Sequence, residues 1–121
     1  MRIIGGKYRG RTLVPFRGKD VRPTSDRAKE ALFNILAPEI SGANVLDLFC
    51  GTGGIGLEAI SRGADLVVFN DVSAESLAIL RKNLALIREE AKIYNLDYRT
   101  LLGRIDVTFD VIYIDPPYKS G

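Results

Sequence analysis

Residues 44–62 read NVLDLFCGTGGIGLEAISR, and this stretch decides the fold. Residues 44–49 are mostly apolar and short, which predicts a buried strand, whereas residues 54–62 have the length and apolar spacing of a helix. Gly51 and Gly53 lie between the two and permit a sharp turn. A buried strand joined to a helix by a glycine-rich turn is typical of a parallel sheet covered by helices.

The same alternation continues toward the C-terminus. Further strands are predicted at 66–70, 92–96 and 109–114, and helices at 73–90 and 98–102. This order predicts an α/β fold, a doubly wound Rossmann-like parallel sheet with strand order 3-2-1-4. The sequence ends soon after the fourth strand, which would leave an apolar sheet edge exposed. We therefore expect this domain to have a C-terminal part that the sequence lacks.

The N-terminal residues predict a basic extension that precedes the alternating unit. Its glycines are turn signals, and residues 11–14 predict a short strand of a β-hairpin. A helix capped by Thr24 or Ser25 is predicted to run to about Leu36, because Pro38 prevents its continuation. The predicted organisation is an extension at 1–24 and a Rossmann-like domain at 25–121.

The composition excludes several classes of function. The chain of 121 residues contains no histidine and one cysteine, which excludes Ser–His and Cys–His catalysis and zinc sites built from those side chains. No metal is therefore predicted. No apolar run approaches the roughly 20 residues of a membrane span, so no membrane partner is predicted. A single cysteine forms no internal disulfide, which favours a reducing, cytoplasmic location.

Basic side chains are concentrated at the N-terminus. Residues 1–29 contain nine Lys or Arg and two acidic side chains, whereas the remaining 92 residues contain eight and thirteen. A basic arm on an acidic body is typical of proteins that bind RNA or DNA, although a solvated basic hairpin has the same composition. The predicted nucleic-acid contacts are Arg2, Lys7, Arg9, Arg11, Arg22 and Arg27.

The glycine turn by itself leaves two cofactors open. Residues 51–56 also match G-x-G-x-x-G, and Asp71 follows Gly51 by 20 residues, a spacing that nicotinamide dinucleotide and methyl-donor sites share. Asp47 favours the methyl donor, because its carboxylate would repel a pyrophosphate but attract the cationic amine and sulfonium of S-adenosylmethionine. The alternative for either aspartate is that it caps a turn or a helix. Cys50 is not predicted to be a nucleophile, because no histidine is present to activate it.

The sequence Asp115-Pro116-Pro117-Tyr118 follows the fourth predicted strand. It places a carboxylate, a rigid turn carbonyl and an aromatic face at one point, which suits a planar ring that carries an exocyclic amine. In a sheet of order 3-2-1-4 the first and fourth strands are neighbours, so this motif and the glycine turn face one crevice. The alternative is that the prolines only end the strand and the tyrosine packs under a loop. The two motifs together predict a methyl-donor site beside a nucleobase site.

Three segments resemble the bacterial 16S rRNA guanine-N2 methyltransferase family of the RsmD type, a group of class I methyltransferases. They are residues 45–64, residues 115–118 and the run RPTSDRAKEALFNIL at 22–36. The resemblance covers nearly the whole chain, and the run at 22–36 separates this family from other amino-methyltransferases. It implies an S-adenosylmethionine-dependent enzyme that methylates a guanine N2 amine in 16S rRNA or the small ribosomal subunit. It also implies a monomer with further strands after the fourth.

The resemblance assigns cofactor contacts to individual residues. It implies that Asp47, Gly51 and Gly53 cradle the methionine part of S-adenosylmethionine, that Asp71 holds the ribose, and that Asp97 lies near the adenine amine. The family more often has Glu at the position of Asp71, so this sequence departs from the family there. The other predicted cofactor contacts are Phe49 and Thr52.

The resemblance also implies how the base is held. Asp115 and the Pro116 carbonyl would accept hydrogen bonds from the guanine amine, and Tyr118 would stack on the ring, with Pro117 completing the catalytic motif. Two acceptors favour the pyramidal amine whose lone pair can attack the methyl group directly, which leaves S-adenosylhomocysteine as the product. No metal or covalent intermediate is needed. The target base has to leave its stack.

Other functions share parts of this pattern. An adenine-N6 DNA methyltransferase has the same four-residue motif and differs in base identity and in the N-terminal run. A nicotinamide-dependent oxidoreductase shares the glycine turn and would bind NADH rather than S-adenosylhomocysteine. A non-catalytic RNA-binding module shares the basic arm and would show salt-dependent RNA binding without cofactor affinity.

Overall fold

A parallel sheet of four strands forms the centre of the fold, as the sequence predicts. The computed structural model describes residues 1–15 and 24–116. The elements, in chain order, are α1 (Asp26–Ile40), β1 (Asn44–Asp47), α2 (Gly54–Ser61), β2 (Leu66–Asn70), α3 (Ala74–Leu86), β3 (Lys92–Tyr94), α4 (Tyr98–Arg104) and β4 (Val111–Tyr113). The strand order is β3-β2-β1-β4, and each neighbouring pair is parallel.

Alternate residues of the central strands pack on opposite faces of the sheet. Val45, Val67 and Phe69 join the larger apolar cluster, whereas Leu46 and Val68 join the smaller one with Leu101 of α4. Side chains that alternate between two covered faces explain why these strands read as continuous apolar runs. The register of the strand pairs brings Asp47 opposite Phe69 of β2 and Tyr113 of β4, near the carboxyl ends of the strands.

Several element ends differ from the prediction: β1, β3 and β4 are shorter than predicted, α4 ends at Arg104 rather than at residue 102, and two other helix ends differ more. The first helix continues through Pro38 to Ile40, whose side chain is buried. Pro38 removes the amide that would donate to the Asn34 carbonyl, and Asn34 is exposed, so water can meet that carbonyl. The helix α3 ends at Leu86 rather than at residue 90. The Glu89 amide donates to the Leu84 carbonyl, and Arg88 adopts a φ of 55°. This is a Schellman end, and the sequence did not reveal it because Arg88 occupies the position that usually holds glycine.

The N-terminal residues pair with each other and pack into the main core. Arg2 and Thr12 form an antiparallel bridge, and the Leu13 amide donates to the Met1 carbonyl at 2.8 Å. Residues 11–14 do not form the regular strand that was predicted, because this pairing is limited to one bridge. Ile3 and Leu13 are buried in the larger apolar cluster with side chains of α2 and α3. The division of the chain at residue 24 stays a prediction.

None of the helices in the described part of the chain combines the length and the apolar character that a membrane crossing needs.

Candidate functional site

A carboxylate lies at or just beyond the carboxyl end of each of the four strands. Asp47 ends β1, Asp71 follows β2, Asp97 follows β3 and Asp115 follows β4. Since the strands are parallel, these four side chains belong to one edge of the sheet. The strand order changes direction between β1 and β4, and such a switch point is where ligands of doubly wound sheets bind.

Asp47 is the most deeply buried of these carboxylates, with 1% of its surface exposed. Its Oδ2 accepts a hydrogen bond from the Gly56 amide at 3.1 Å, in the first turn of α2. Burial raises the pKa of Asp47 to about 7, the Gly56 amide opposes this rise, and the carboxylates of Asp71 and Asp115 add to it. The capping role considered from sequence is therefore present. A cation placed beside Asp47 would favour its ionised form.

The glycine turn has the backbone geometry that its glycines predict. Gly51 and Gly53 have φ values of 55° and 92°, which side chains rarely tolerate. A Cβ at Gly53 would lie 2.3 Å from Leu80 Cδ1, so α3 packs directly on the turn. On Gly51, by contrast, no described atom lies within 4 Å of the position of a Cβ. The turn is thus closed on its Gly53 side and open at Gly51.

Asp71 joins β2 to the glycine turn. Its Oδ2 accepts from the Gly51 amide and its Oδ1 accepts from the Ser73 amide, each at 2.8 Å. Each carboxylate oxygen can accept a second hydrogen bond, so these contacts leave acceptor capacity for a ligand hydroxyl. Asp71 therefore shapes the turn and holds the Ser73 amide, in addition to any role toward a ribose, whereas α3 is capped by the Ser73 hydroxyl, which accepts from the Ser76 amide at 3.2 Å.

Asn70 is a site residue that the sequence reasoning missed. It is 1% exposed, its Nδ2 donates to the carbonyls of Leu48 and Leu96, and its Oδ1 accepts from the Leu96 amide. These contacts tie the chain after β1 to the chain after β3. The available signal was a polar side chain at the end of the apolar run VVFN.

Asp97 and Phe49 both contact the start of α4. The Asp97 side chain is exposed and caps α4 by accepting from the Arg99 amide at 3.1 Å. The Phe49 ring contacts the ring of Tyr98, with centroids 5.6 Å apart. Thr52 is almost fully buried in the glycine turn, and its hydroxyl donates to Met1 Sδ at 3.7 Å.

The second predicted motif is described only in its first half. Asp115 and Pro116 are exposed just after β4, whereas Pro117 and Tyr118 lie outside the described residues. Burial raises the pKa of the Tyr113 phenol, and the nearby carboxylates of Asp115 and Asp47 raise it further. Asp115 and Asp47 therefore lie at neighbouring strand ends with Tyr113 near both.

The predicted nucleic-acid contacts fall into two groups. The amide of Lys7 donates to the Ser61 carbonyl, and Arg11 Nη1 donates to the Leu86 carbonyl, so Lys7 and Arg11 lie near the C-terminal ends of α2 and α3. That position is about 12 Å along α2 from the glycine turn. The second group lies at the start of α1 and consists of Arg2, which pairs with Asp26 at 2.8 Å, and the exposed Arg27. Arg9 lies between the two groups, because it lines a cavity with Arg62, at the end of α2, and with Arg2. Arg22 is outside the described residues.

A cavity of about 570 Å³ opens between the first basic group and the end of α3, and its lining includes Lys7, Tyr8, Arg11 and Arg88. It lies away from the four carboxylates. Within residues 1–15 and 24–116, no cluster of three or more Asp, Glu or Cys side chains is arranged to hold a metal ion.

The family model described as Conserved hypothetical protein 95 matches residues 1–121. The chain belongs to this family, the RsmD family of methyltransferases. Over its full length it is 39% identical to ribosomal RNA small subunit methyltransferase D of Escherichia coli, of which it covers 62%. The chain thus spans less than two thirds of the length of this relative.

Solved structures of methyltransferases have the same fold as this RsmD-family chain. The Escherichia coli protein yhhF superposes with a TM-score of 0.88 at 38% identity, covering 100% of this chain and 66% of that one. The Thermus thermophilus 16S rRNA N2 methyltransferase RsmC, solved with AdoMet and guanosine, superposes with a TM-score of 0.71 at 33% identity, covering 88% of this chain and 28% of that one. The fold is therefore that of Rossmann-like methyltransferases.

The arrangement of this RsmD-family site fits a cationic nucleoside ligand. An open face at Gly51 allows close approach to the backbone, a buried carboxylate at Asp47 complements positive charge, and Asp71 has acceptor capacity for hydroxyl groups. Cys50 is buried, and burial strongly raises the pKa of its thiol, which argues against a nucleophilic role.

Proposed function

We propose that the protein transfers a methyl group from S-adenosylmethionine to the exocyclic N2 amine of a guanine in small-subunit rRNA. The observation that carries this proposal is the position of Asp47 and Asp115 at the ends of the adjacent strands β1 and β4, beside the open face of Gly51. In this proposal Asp47 attracts the cationic methyl donor, and Asp115 binds the amine that receives the methyl group. The names of the relatives support an rRNA substrate.

The cofactor lies along the carboxyl edge of β1, β2 and β3. Asp47 and the glycine turn hold the methionine part, Asp71 accepts from the ribose hydroxyls, and Asp97 lies toward the adenine amine. The further contacts proposed for the cofactor are Phe49, Thr52 and Gly53. Asp71 is shorter than the Glu that is more usual in the family, and its two bonds to backbone amides hold it against the turn.

The base lies above the end of β4. Asp115 and the Pro116 carbonyl accept hydrogen bonds from the two amine N–H groups, which turns the nitrogen lone pair toward the methyl group, and Tyr118 stacks on the ring with Pro117 setting its approach. When bound, S-adenosylmethionine supplies an electrophilic methyl group. Orientation of the amine by Asp115 and Pro116 contributes several kcal/mol to the lowering of the barrier, roughly the range of positioned intramolecular reactions.

RNA contacts come from both basic groups. Arg2, Arg27 and the preceding Arg22 hold phosphates near the target base, and Lys7, Arg9 and Arg11 hold phosphates at the far end of α2. The protein acts as a monomer on 16S rRNA or the small ribosomal subunit in the cytoplasm.

The test uses the purified protein, labelled S-adenosylmethionine and small ribosomal subunits that lack the modification. The rRNA is then digested and its nucleosides are identified by mass. N2-methylguanosine is the expected product. N6-methyladenine in a parallel reaction with DNA would instead support the adenine-N6 methyltransferase, and NADH binding without S-adenosylhomocysteine binding would overturn the methyltransferase proposal.

A further inference from the structure

Asn83 is a fully buried side chain of α3 that contacts both the glycine turn and the N-terminal residues. Its exposed surface is 0%. The Nδ2 group donates to the Thr52 carbonyl at 3.3 Å and to the Val14 carbonyl at 3.1 Å, and the Oδ1 atom accepts from the Val14 amide at 2.7 Å. One side chain thus joins three segments that are far apart in sequence.

The contacts of Asn83 determine its orientation. A carboxamide has two N–H donors and one carbonyl oxygen, and here both kinds of group have backbone partners. The Val14 amide can only be met by an oxygen, whereas the two carbonyls can only be met by N–H groups. A rotated side chain would leave buried polar groups without partners, which is costly. Docking of Val14 therefore fixes the direction in which Asn83 points toward Thr52.

The Thr52 carbonyl belongs to the peptide plane that also carries the Gly53 amide. Because a peptide is planar, the direction of this carbonyl sets the direction of that amide. The Gly53 amide donates to the Cys50 carbonyl at 2.9 Å and so closes the turn. Gly51 and Gly53 flank Thr52 with positive φ values, so the backbone here has conformational freedom that an outside contact must remove.

The first residue of the chain makes a second contact with the same turn. Met1 Sδ accepts from the Thr52 hydroxyl, and it would lie 3.4 Å from a Cβ placed on Gly54. The N-terminal residues therefore approach the turn at two points, through Met1 directly and through Val14 by way of Asn83.

We propose that Asn83 is a positioning residue for cofactor binding, which holds the Thr52–Gly53 peptide in its binding geometry and links that geometry to the docking of Val14. The inference rests on the proposed function, in which this turn holds the methionine part of S-adenosylmethionine. A change at Asn83 alters the affinity for the cofactor without removing any group that touches it.

Ser61 provides a matched control. It is also buried and also binds the N-terminal residues, because its hydroxyl accepts from the Tyr8 amide at 2.9 Å and donates to the Gly5 carbonyl at 2.7 Å. Ser61 ends α2, at the opposite end of that helix from the glycine turn. Its loss weakens the docking of the N-terminal residues but leaves Thr52 and Asn83 in contact.

The experiment compares Asn83→Ala and Ser61→Ala with the unsubstituted protein by calorimetric titration with S-adenosylhomocysteine, alongside thermal unfolding. Asn83→Ala is expected to weaken binding by about 5- to 30-fold, the range that corresponds to a lost buried hydrogen bond or two. Ser61→Ala is expected to change binding less than about 2-fold, although both variants lower the Tm. Equal dissociation constants for the two variants would overturn the inference.

Val14→Pro tests the link between Val14 and the glycine turn while Asn83 is retained. It provides the test if Asn83→Ala fails to fold. Proline removes the amide that Asn83 Oδ1 accepts from. We expect several-fold weaker binding of S-adenosylhomocysteine, and unchanged binding would show that Val14 does not orient Asn83. Absence of binding by the unsubstituted protein would instead contradict the proposed function itself.

Discussion

Lys29 and Glu58 form an ion pair that is almost completely buried. Lys29 Nζ lies 3.5 Å from Glu58 Oε1, and the exposed fractions of the two side chains are 1% and 0%. Glu58 also accepts from the amides of Ile4 and Gly5, each at 2.9 Å, and from Arg62 Nε at 2.8 Å. Burial lowers the pKa of Lys29, and the Glu58 carboxylate opposes that shift. This one carboxylate therefore attaches the N-terminal residues, α1 and α2 to each other.

Glu58→Gln is expected to destabilise the protein by about 3–5 kcal/mol, because it leaves the Lys29 ammonium buried without its counter-charge. The measurement is urea unfolding. Arg2→Gln is the control, since it breaks a pair with Asp26 whose side chains are 61% and 46% exposed and should cost less than about 1 kcal/mol. Similar decreases in the free energy of unfolding for the two variants would show that burial does not make the Lys29–Glu58 pair more important for stability than an exposed pair.

Gly56→Ala is expected to destabilise the fold by about 1–3 kcal/mol through overpacking. The new Cβ would lie 2.2 Å from Cε1 of the Phe69 ring, which is itself buried in the sheet. Gly103→Ala in α4 is the matched control, because no described atom lies within 4 Å of its Cβ position. Alanine there should stabilise the protein by up to about 1 kcal/mol. Equilibrium denaturation measures the change in the free energy of unfolding for both variants. No change in Gly56→Ala would contradict the close packing of α2 on Phe69.

The raised pKa of Asp47 predicts a dependence of stability on pH. This carboxyl has a pKa of about 7 in the folded protein and an ordinary value of 3.8, so the folded chain binds more protons between these values. The free energy of unfolding should therefore fall as the pH rises from about 4 to about 7 and lose this dependence above it. Asp47→Asn should flatten the slope, whereas Asp97→Asn, at an exposed helix cap, should leave it in place.

Cofactor binding is expected to depend on the same proton. If the proposed function holds, the cationic amine of the ligand binds beside ionised Asp47, so the affinity for S-adenosylhomocysteine rises as the pH increases from about 6 to about 8. Binding below pH 7 then releases a proton, which calorimetry in buffers of different ionisation enthalpy measures directly. Binding without proton release at pH 6 would place the ligand amine away from Asp47.

Asp115→Ala is expected to reduce kcat by about 100- to 1000-fold and to leave the affinity for S-adenosylhomocysteine within about 2-fold, because Asp115 is proposed to contact the base and not the cofactor. The rate is measured as methyl transfer to small ribosomal subunits. Asp106→Ala removes an exposed carboxylate from the loop before β4 and should keep full activity. Normal turnover in Asp115→Ala would remove this carboxylate from the mechanism.

Much of the fold and part of the site could be predicted from local sequence. The strand at 66–70 has the predicted bounds, and the strand order is the predicted one, because continuous apolar runs between helices leave few ways to build a parallel sheet. Glycines at 51 and 53 predicted the turn correctly, since their conformations are rare for other residues. Helix ends were less predictable, and Arg88 in a left-handed cap is the clearest example.

Periodicity, glycine spacing and the charges at strand ends were thus sufficient to predict the sheet, the turn and the edge where its carboxylates lie, because each of these depends on residues close together in the chain. Only the tertiary structure decided which polar side chains hold the edge together. Asn83 meets a partner 69 residues away, Glu58 one 54 residues away and Asn70 one 26 residues away. Such contacts depend on how the segments pack in space, and no local pattern records which distant amide or carbonyl a buried side chain will face.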